Sequence, residues 1–197
     1  VTFSGLDAAY CEDDATAYPL VGTPAGGTFS GDGISGSNFT PQAATNGTHV
    51  VTYTYVDPFG CSNTDDQSVV VNDLPVVTFS GLSPAYCEDA SSVALTGSPA
   101  GGTFSGPGII GNSFSPVAAG VGTHTVAYAY TDGNGCSDSV GTPAVVDTVP
   151  NVSVGVVANS CSNTPAFGLT GTPASGTFSG PGVSGVNFDP STAGSGN

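Results

Sequence analysis

The residues of this chain with chemistry to offer are few: five cysteines, two histidines and fifteen Asp and Glu, with no Lys or Arg in 197 residues. Without lysine there is no Schiff base and no Lys–Asn isopeptide bond. Without any Lys or Arg, phosphate has no cation to meet, so nucleic acid and anionic lipid surfaces are poor partners. The cysteines fall at Cys11 and Cys61, then Cys87 and Cys136, then Cys161. No two have CxxC spacing and neither histidine is placed beside them, which argues against zinc. One pair per unit of sequence predicts disulfides Cys11–Cys61 and Cys87–Cys136, with the partner of Cys161 beyond the last residue, and hence an oxidising compartment.

Acidic residues flank those cysteines. Glu12 and Asp13 follow Cys11 and Asp57 precedes Cys61; Glu88, Asp89 and Asp132 stand at the matching places around Cys87 and Cys136. If each disulfide closes within its own unit, it draws these carboxylates together with no cation of the chain to balance them. Ca²⁺, which takes roughly six to eight oxygen ligands, is the ion that such a junction suits. The six acids are therefore candidate Ca²⁺ ligands, with solvated surface acids as the alternative, and no other cofactor is expected. No EF-hand loop is present, and the third unit has Ser162-Asn163 where the others have Glu-Asp.

Two further patterns look chemical and read as structural. Residues 31–36, 106–111 and 180–185 all spell GxGxxG, but Pro41, Pro116 or Pro190 follows and no helical period begins there. A dinucleotide site needs a helix N-terminus inside the motif, so these are Gly-rich turns. His49 and His124 recur at one place in two units, with no positioned nucleophile or orienting carboxylate in the pattern. No catalytic residue is assigned, and the chain is not expected to be an enzyme. The Asn sequons at Asn38, Asn46 and Asn151 read as chance.

What positions these residues is a repeat. Residues 1–6 return at 77–82, 9–13 at 85–89, and 24–31 at 99–106 and, with one substitution, at 173–180. The first cysteine of each unit, at 11, 87 and 161, sets a period near 75, longer than a solenoid repeat and long enough to close a small core. Three units follow: 1–75, 76–150 and a truncated 151–197. The chain has no Met and stops part-way through a unit, so it reads as a segment of something longer. Residues 50–56 and 125–131 alternate, placing Val51, Tyr53 and Tyr55 on one face and Val126, Tyr128 and Tyr130 on its counterpart. Further β-rich runs lie at 68–71, 76–79 and 144–146, and Gly or Pro interrupts almost every window. The expected fold is all-β, a string of small immunoglobulin-like antiparallel β-sandwiches. Pro75 and Pro150 sit at the joints as stiffeners. No apolar run reaches the ~18 residues of a membrane span.

The stretch Gly-Thr-His-x-Val-x-Tyr-x-Tyr-x-Asp-x-x-Gly-Cys, at 47–61 and 122–136, resembles the late strands of HYR-like and PKD-like immunoglobulin-type modules. The longer pattern, from Tyr-Cys-Glu-Asp through Gly-Gly-Thr-Phe-Ser-Gly to Asp-x-x-Gly-Cys, resembles tandem repeats of large Bacteroidota surface adhesins of the gliding-motility-associated, type IX-secreted kind. The resemblance implies an extracellular, cell-surface location. It also gives context to Asp138-Ser139-Val140 and Asp147-Thr148-Val149, which fit a short O-glycosylation pattern of that phylum at Ser139 and Thr148. The function expected is structural: a segment of an extracellular filament or adhesin stalk, its disulfide-stapled beads giving length and mechanical and protease resistance. Its partners would be neighbouring repeats of the same chain, and other copies where beads exchange strands into a fibre. The alternative is a set of non-catalytic accessory modules of a secreted glycan-degrading enzyme, although no Trp is present to stack on a sugar.

Overall fold

The two alternating stretches lie inside long strands, and everything else in their repeats is arranged around them. In the computed structural model, which describes residues 1–194, the first repeat runs β1 (Thr2–Ser4), β2 (Ala9–Cys11), β3 (Tyr18–Pro19), β4 (Val21–Thr23), β5 (Thr28–Ser30), β6 (Ile34–Ser35), β7 (Asn38–Phe39), a four-residue helix α1 (Pro41–Ala44), β8 (Gly47–Val56) and β9 (Ser62–Asn72). The second repeats it: β10 (Thr78–Ser80), β11 (Ala85–Cys87), β12 (Val93–Ala94), β13 (Thr96–Ser98), β14 (Thr103–Ser105), β15 (Ile109–Ile110), β16 (Ser113–Phe114), α2 (Pro116–Ala119), β17 (Gly122–Thr131) and β18 (Ser137–Asp147). The fold is all-β.

Each repeat packs a four-stranded sheet, β2-β9-β8-β5 or β11-β18-β17-β14, against a three-stranded one, β3-β7-β6 or β12-β16-β15. A short pair, β1-β4 or β10-β13, closes the side. One feature departs from the antiparallel expectation: β2 runs parallel to β9, and β11 parallel to β18. The second and last strands of a repeat, β2 and β9 or β11 and β18, are joined through most of the sandwich, a connection long enough to permit parallel pairing, which a tight hairpin does not.

The alternation of β8 turns Val51 and Tyr53 inward, where they meet Val69 and Val71 of β9, Tyr10 of β2 and Phe39 of β7 in one buried cluster. Tyr55, on the same face, packs against the edge of that cluster. The second repeat builds a separate core from Leu95, Phe114, Val126, Ala144 and Val146. Burying each such Val side chain is worth about 1.5–3 kcal/mol against leaving it in water.

By contact, residues Val1–Asp147 form one compact unit and the chain from Thr148 onward another. The second unit holds β19 (Ser153–Val154) paired with β21 (Gly171–Thr172), a sheet of β20 (Phe167–Gly168), β23 (Asn187–Phe188) and β22 (Val183–Ser184), and α3 (Pro190–Ala193). These match β1, β4, β3, β7, β6 and α1 of the first repeat.

The disulfide departs from expectation. Cys11 bonds Cys136 of the second repeat, 125 residues away, while Cys61, Cys87 and Cys161 are free and exposed. The pairs Cys11–Cys61 and Cys87–Cys136 do not form. Cys11 lies opposite Asn72, the last residue of β9, whereas Cys61 immediately precedes the first. An 11-residue strand rising about 3.3 Å per residue holds the two cysteines ~35 Å apart, far beyond the ~7 Å limit on Cα separation in a disulfide. Each repeat thus carries one cysteine at either pole. The pole at the end of β9 holds Cys11; the pole at the β17–β18 hairpin tip holds Cys136; the bond joins those two poles.

Candidate functional site at the repeat joint

The tip that delivers Cys136 is built by Asp132. Its backbone N–H donates to the Cys136 carbonyl at 2.9 Å, closing the hairpin. Its side-chain Oδ1 accepts from the N–H groups of Asn134 and Cys136, both at 2.9 Å. Gly135, at φ 88°, makes the left-handed step that turns the chain back. Asp57 does the same at the other tip, accepting from Phe59 and Cys61 N–H at 2.9 Å each, with Gly60 at φ 87°. The Asp-x-x-Gly-Cys motif is therefore a side-chain-capped turn that fixes where the sulfur points.

On the facing pole, Cys11 ends β2. The next residue, Glu12, donates its N–H to the Asn72 carbonyl and accepts at Oε1 from the Leu74 N–H at 3.1 Å. The carboxylate ties the linker back onto the repeat it leaves, beside the disulfide. Nearby, Asn46 donates to the Asp73 carboxylate. Burial shows what the joint does to its cysteines: Cys136 is 1% exposed, while Cys61, at the same place on the first repeat, is exposed.

The Ca²⁺ expectation required Glu12 and Asp13 to meet Asp57, and Glu88 and Asp89 to meet Asp132. Since the cysteines they flank sit at opposite poles, neither set is assembled. Asp57 and Asp132 spend an oxygen on two backbone amides, and Asp13 and Asp89 are exposed. Among the described residues no three His, Cys, Asp or Glu side chains converge to hold a metal ion.

The histidines serve the scaffold. His49 Nε2 lies 3.1 Å from the carbonyl of Thr45, and His124 Nε2 2.8 Å from that of Gly120. Thr45 and Gly120 both leave their short helices with positive φ, 66° and 76°, so the imidazole fastens the exit turn to the following strand. With Nε2 engaged and His49 Nδ1 at 3.1 Å from Asp32, that ring has no nitrogen left to activate a nucleophile. Each GxGxxG segment leads into or forms a β6–β7 type hairpin, with Gly31, Gly33 and Gly36 all at positive φ. Ser139 and Thr148 are exposed.

A tyrosine clamp escaped the sequence reading. The Tyr53 hydroxyl donates to the Pro24 carbonyl at 2.6 Å and accepts from the Gly27 N–H at 2.8 Å. Tyr128 repeats both bonds, to Pro99 and from Gly102, at the same distances. The ring lies so close over the chain that a Cβ at Gly22 would stand 2.0 Å from the Tyr53 ring carbon Cζ. This explains why Pro-Ala-Gly-Gly recurs with each Val-x-Tyr strand. A turn and a tyrosine recurring together, 26 residues apart in both repeats, was the available signal.

One acid is perturbed within the first repeat. Asp14 is held below the usual carboxylate range, chiefly by the Tyr18 hydroxyl donating at 2.7 Å and then by Thr16. The same bond raises the Tyr18 phenol. The second repeat has Ala90 and Val93 at those places.

No family model matches the chain, and no curated protein matches it. Among solved structures, a protein described as a Ca²⁺-stabilized adhesin that helps an Antarctic bacterium reach out and bind ice aligns at 15% identity with a TM-score of 0.37, covering 91% of this chain and 58% of that one. This chain thus spans little more than half the length of that neighbour, and at that TM-score the likeness carries no functional inference. No helix of the described residues is long and apolar enough to cross a membrane.

Proposed function

We propose that this chain is a structural segment of an extracellular filament or adhesin stalk, in which successive β-sandwich repeats are spliced by a disulfide at their joint. The observation that carries the reading is the Cys11–Cys136 bond between repeats whose cores are separate. A bond within a bead stabilises that bead. A bond between poles makes two beads one mechanical element: tension entering at Cys11 leaves at Cys136, and the 124 residues from 12 to 135 are bypassed. Closing a loop of that length also withdraws roughly 5 kcal/mol of unfolded-chain freedom in the chain-entropy model.

Composition supports the same role. A chain without Lys or Arg offers no trypsin-type cleavage site, and uniform negative charge keeps adjacent stalks apart within a screening length of about 10 Å at 0.1 M salt. The accessory-module reading finds no aromatic platform in Tyr53 and Tyr128, which are buried in their cores. Partners in this proposal are the flanking repeats, and the location is the cell surface, in an oxidising environment.

Immunogold electron microscopy of producing cells, with an antibody against this segment, tests the reading. Gold strung along thin surface fibres is the expected result. Gold confined to soluble protein in the medium, or to insoluble polysaccharide, would reject the stalk in favour of the accessory module.

A further inference from the structure

The first and second repeats each own a cysteine at both poles, and only one cysteine of each is used. Cys87 ends β11 opposite Asp147, as Cys11 ends β2 opposite Asn72. Cys61 closes its Asp-capped tip as Cys136 closes its own. The two free thiols are thus one of each kind, the strand-end half and the tip half of the bond already made at the joint. They also lie on opposite outer poles of the Val1–Asp147 unit.

A second observation marks the outer tip as a contact face. Phe59, beside Cys61, is 92% exposed, a whole aromatic side chain left in water at the turn. In the bonded joint the tip cysteine is buried; at the open pole both the thiol and the neighbouring ring wait uncovered.

We propose that Cys61 and Cys87 are staple sites for further repeats of the same kind, one at each end of the unit. Cys87 takes the tip cysteine of a repeat stacked on its pole, and Cys61 reaches back to the strand-end cysteine of a repeat stacked on the other. Each bond forms by oxidation of two thiols to one S–S bond, releasing two protons and passing two electrons to a disulfide oxidant such as oxidised glutathione or a dithiol oxidoreductase. The result is a ladder in which every joint is crosslinked and every bead is held at both poles. The inference deepens the stalk reading and rests on it for the oxidising compartment.

The test is disulfide mapping of the protein isolated from its producing cells with free thiols blocked by iodoacetamide at lysis. Digestion without reduction uses proteases that cut at acidic and aromatic residues, since trypsin has no site here. Ala8-Ala9-Tyr10-Cys11 and Pro84-Ala85-Tyr86-Cys87 are distinguishable by mass. The expected result is near-complete loss of alkylation at Cys61 and Cys87. The Cys87 peptide should be joined to a Gly-Cys tip peptide of another repeat, and the Cys61 peptide to a Tyr-Cys peptide of another. Recovery of alkylated Cys61 and Cys87 with Cys11–Cys136 intact overturns the ladder and leaves the stalk reading standing. So does capture of either thiol by glutathione or by its own counterpart in a second copy. Alkylation of all four cysteines overturns the oxidising compartment and, with it, the stalk reading. As a check on accessibility, the purified 197-residue chain should take up iodoacetamide at Cys61 and Cys87 without denaturant, and at Cys11 and Cys136 only after reduction.

Discussion

Thr-Phe-Ser occurs after the same turn in all three units, at 28–30, 103–105 and 177–179, yet it is a strand in the first two and not in the third. In the first two it pairs with the long hairpin strand, Phe29 opposite Tyr53 and Phe104 opposite Tyr128. Among the described residues the third unit has no such hairpin. There Phe178 approaches Gly171, with a Cβ on that glycine 3.0 Å from its ring, whereas the matching Gly22 faces the Tyr53 ring. Val152, Val154 and Val186 lie exposed beside a cavity of about 280 Å³ lined in part by Leu169 and Phe178. The short strands β19–β23 form regardless. The difference separates two kinds of element: short strands that pair with one another in the front half of a unit, and edge strands that exist only because β8 or β17 supplies a ladder and an apolar face.

That comparison can be broken from within a complete repeat. Tyr53→Ala removes the ring that covers Gly22 and both hydroxyl bonds. It should cost about 3–5 kcal/mol and bring the first repeat toward the condition of the third, with Thr28–Ser30 losing hydrogen-exchange protection while 103–105 keeps it. Equal loss in both repeats, or none, would contradict the account of the clamp. Asp132→Ala strips two amide acceptors from the tip. With one of those donors exposed and the other part-buried, a loss of roughly 0.5–1.5 kcal/mol is expected in the second repeat, read by calorimetry on the oxidised chain, together with slower reoxidation of Cys11–Cys136.

The smallest effect distinguishes the first repeat from the second. A carboxylate whose folded pKa is lowered contributes stability that is present above its unfolded value and lost as pH falls toward and through the folded value. Asp14 is such a group and the second repeat has no counterpart. Acidification from about pH 5 downward should therefore weaken the first repeat through Asp14, and Asp14→Asn should flatten that part of its pH–stability curve. An unchanged curve would remove the Asp14–Tyr18 bond from the energetics.

The sequence displayed the period, the all-β class, and the inward face of β8 and β17, because alternation of Val and Tyr with Thr and Ala is a one-dimensional trace of a buried sheet face. It did not display the disulfide. Separations of 50 and 49 residues within each repeat look like self-contained pairs, and nothing in that spacing says which pole a cysteine occupies. The length of β9 was the missing term: Cys61 immediately precedes it and Asn72, beside Cys11, ends it. The acidic candidates failed with the pairing on which they were built. Tertiary pairing also decided Thr177–Ser179, which carries the same residues as two strands and lacks only their partner.

The most direct test is force spectroscopy on the 197-residue chain held by its ends, before and after reduction. With Cys11–Cys136 in place, 125 peptide steps are withheld from extension, so reduction should lengthen the fully unfolded chain by about 400 Å at 3.3–3.6 Å per residue. A gain near 170 Å per bond, the signature of roughly 50-residue loops inside single repeats, or no gain at all, would contradict a staple that joins one repeat to the next.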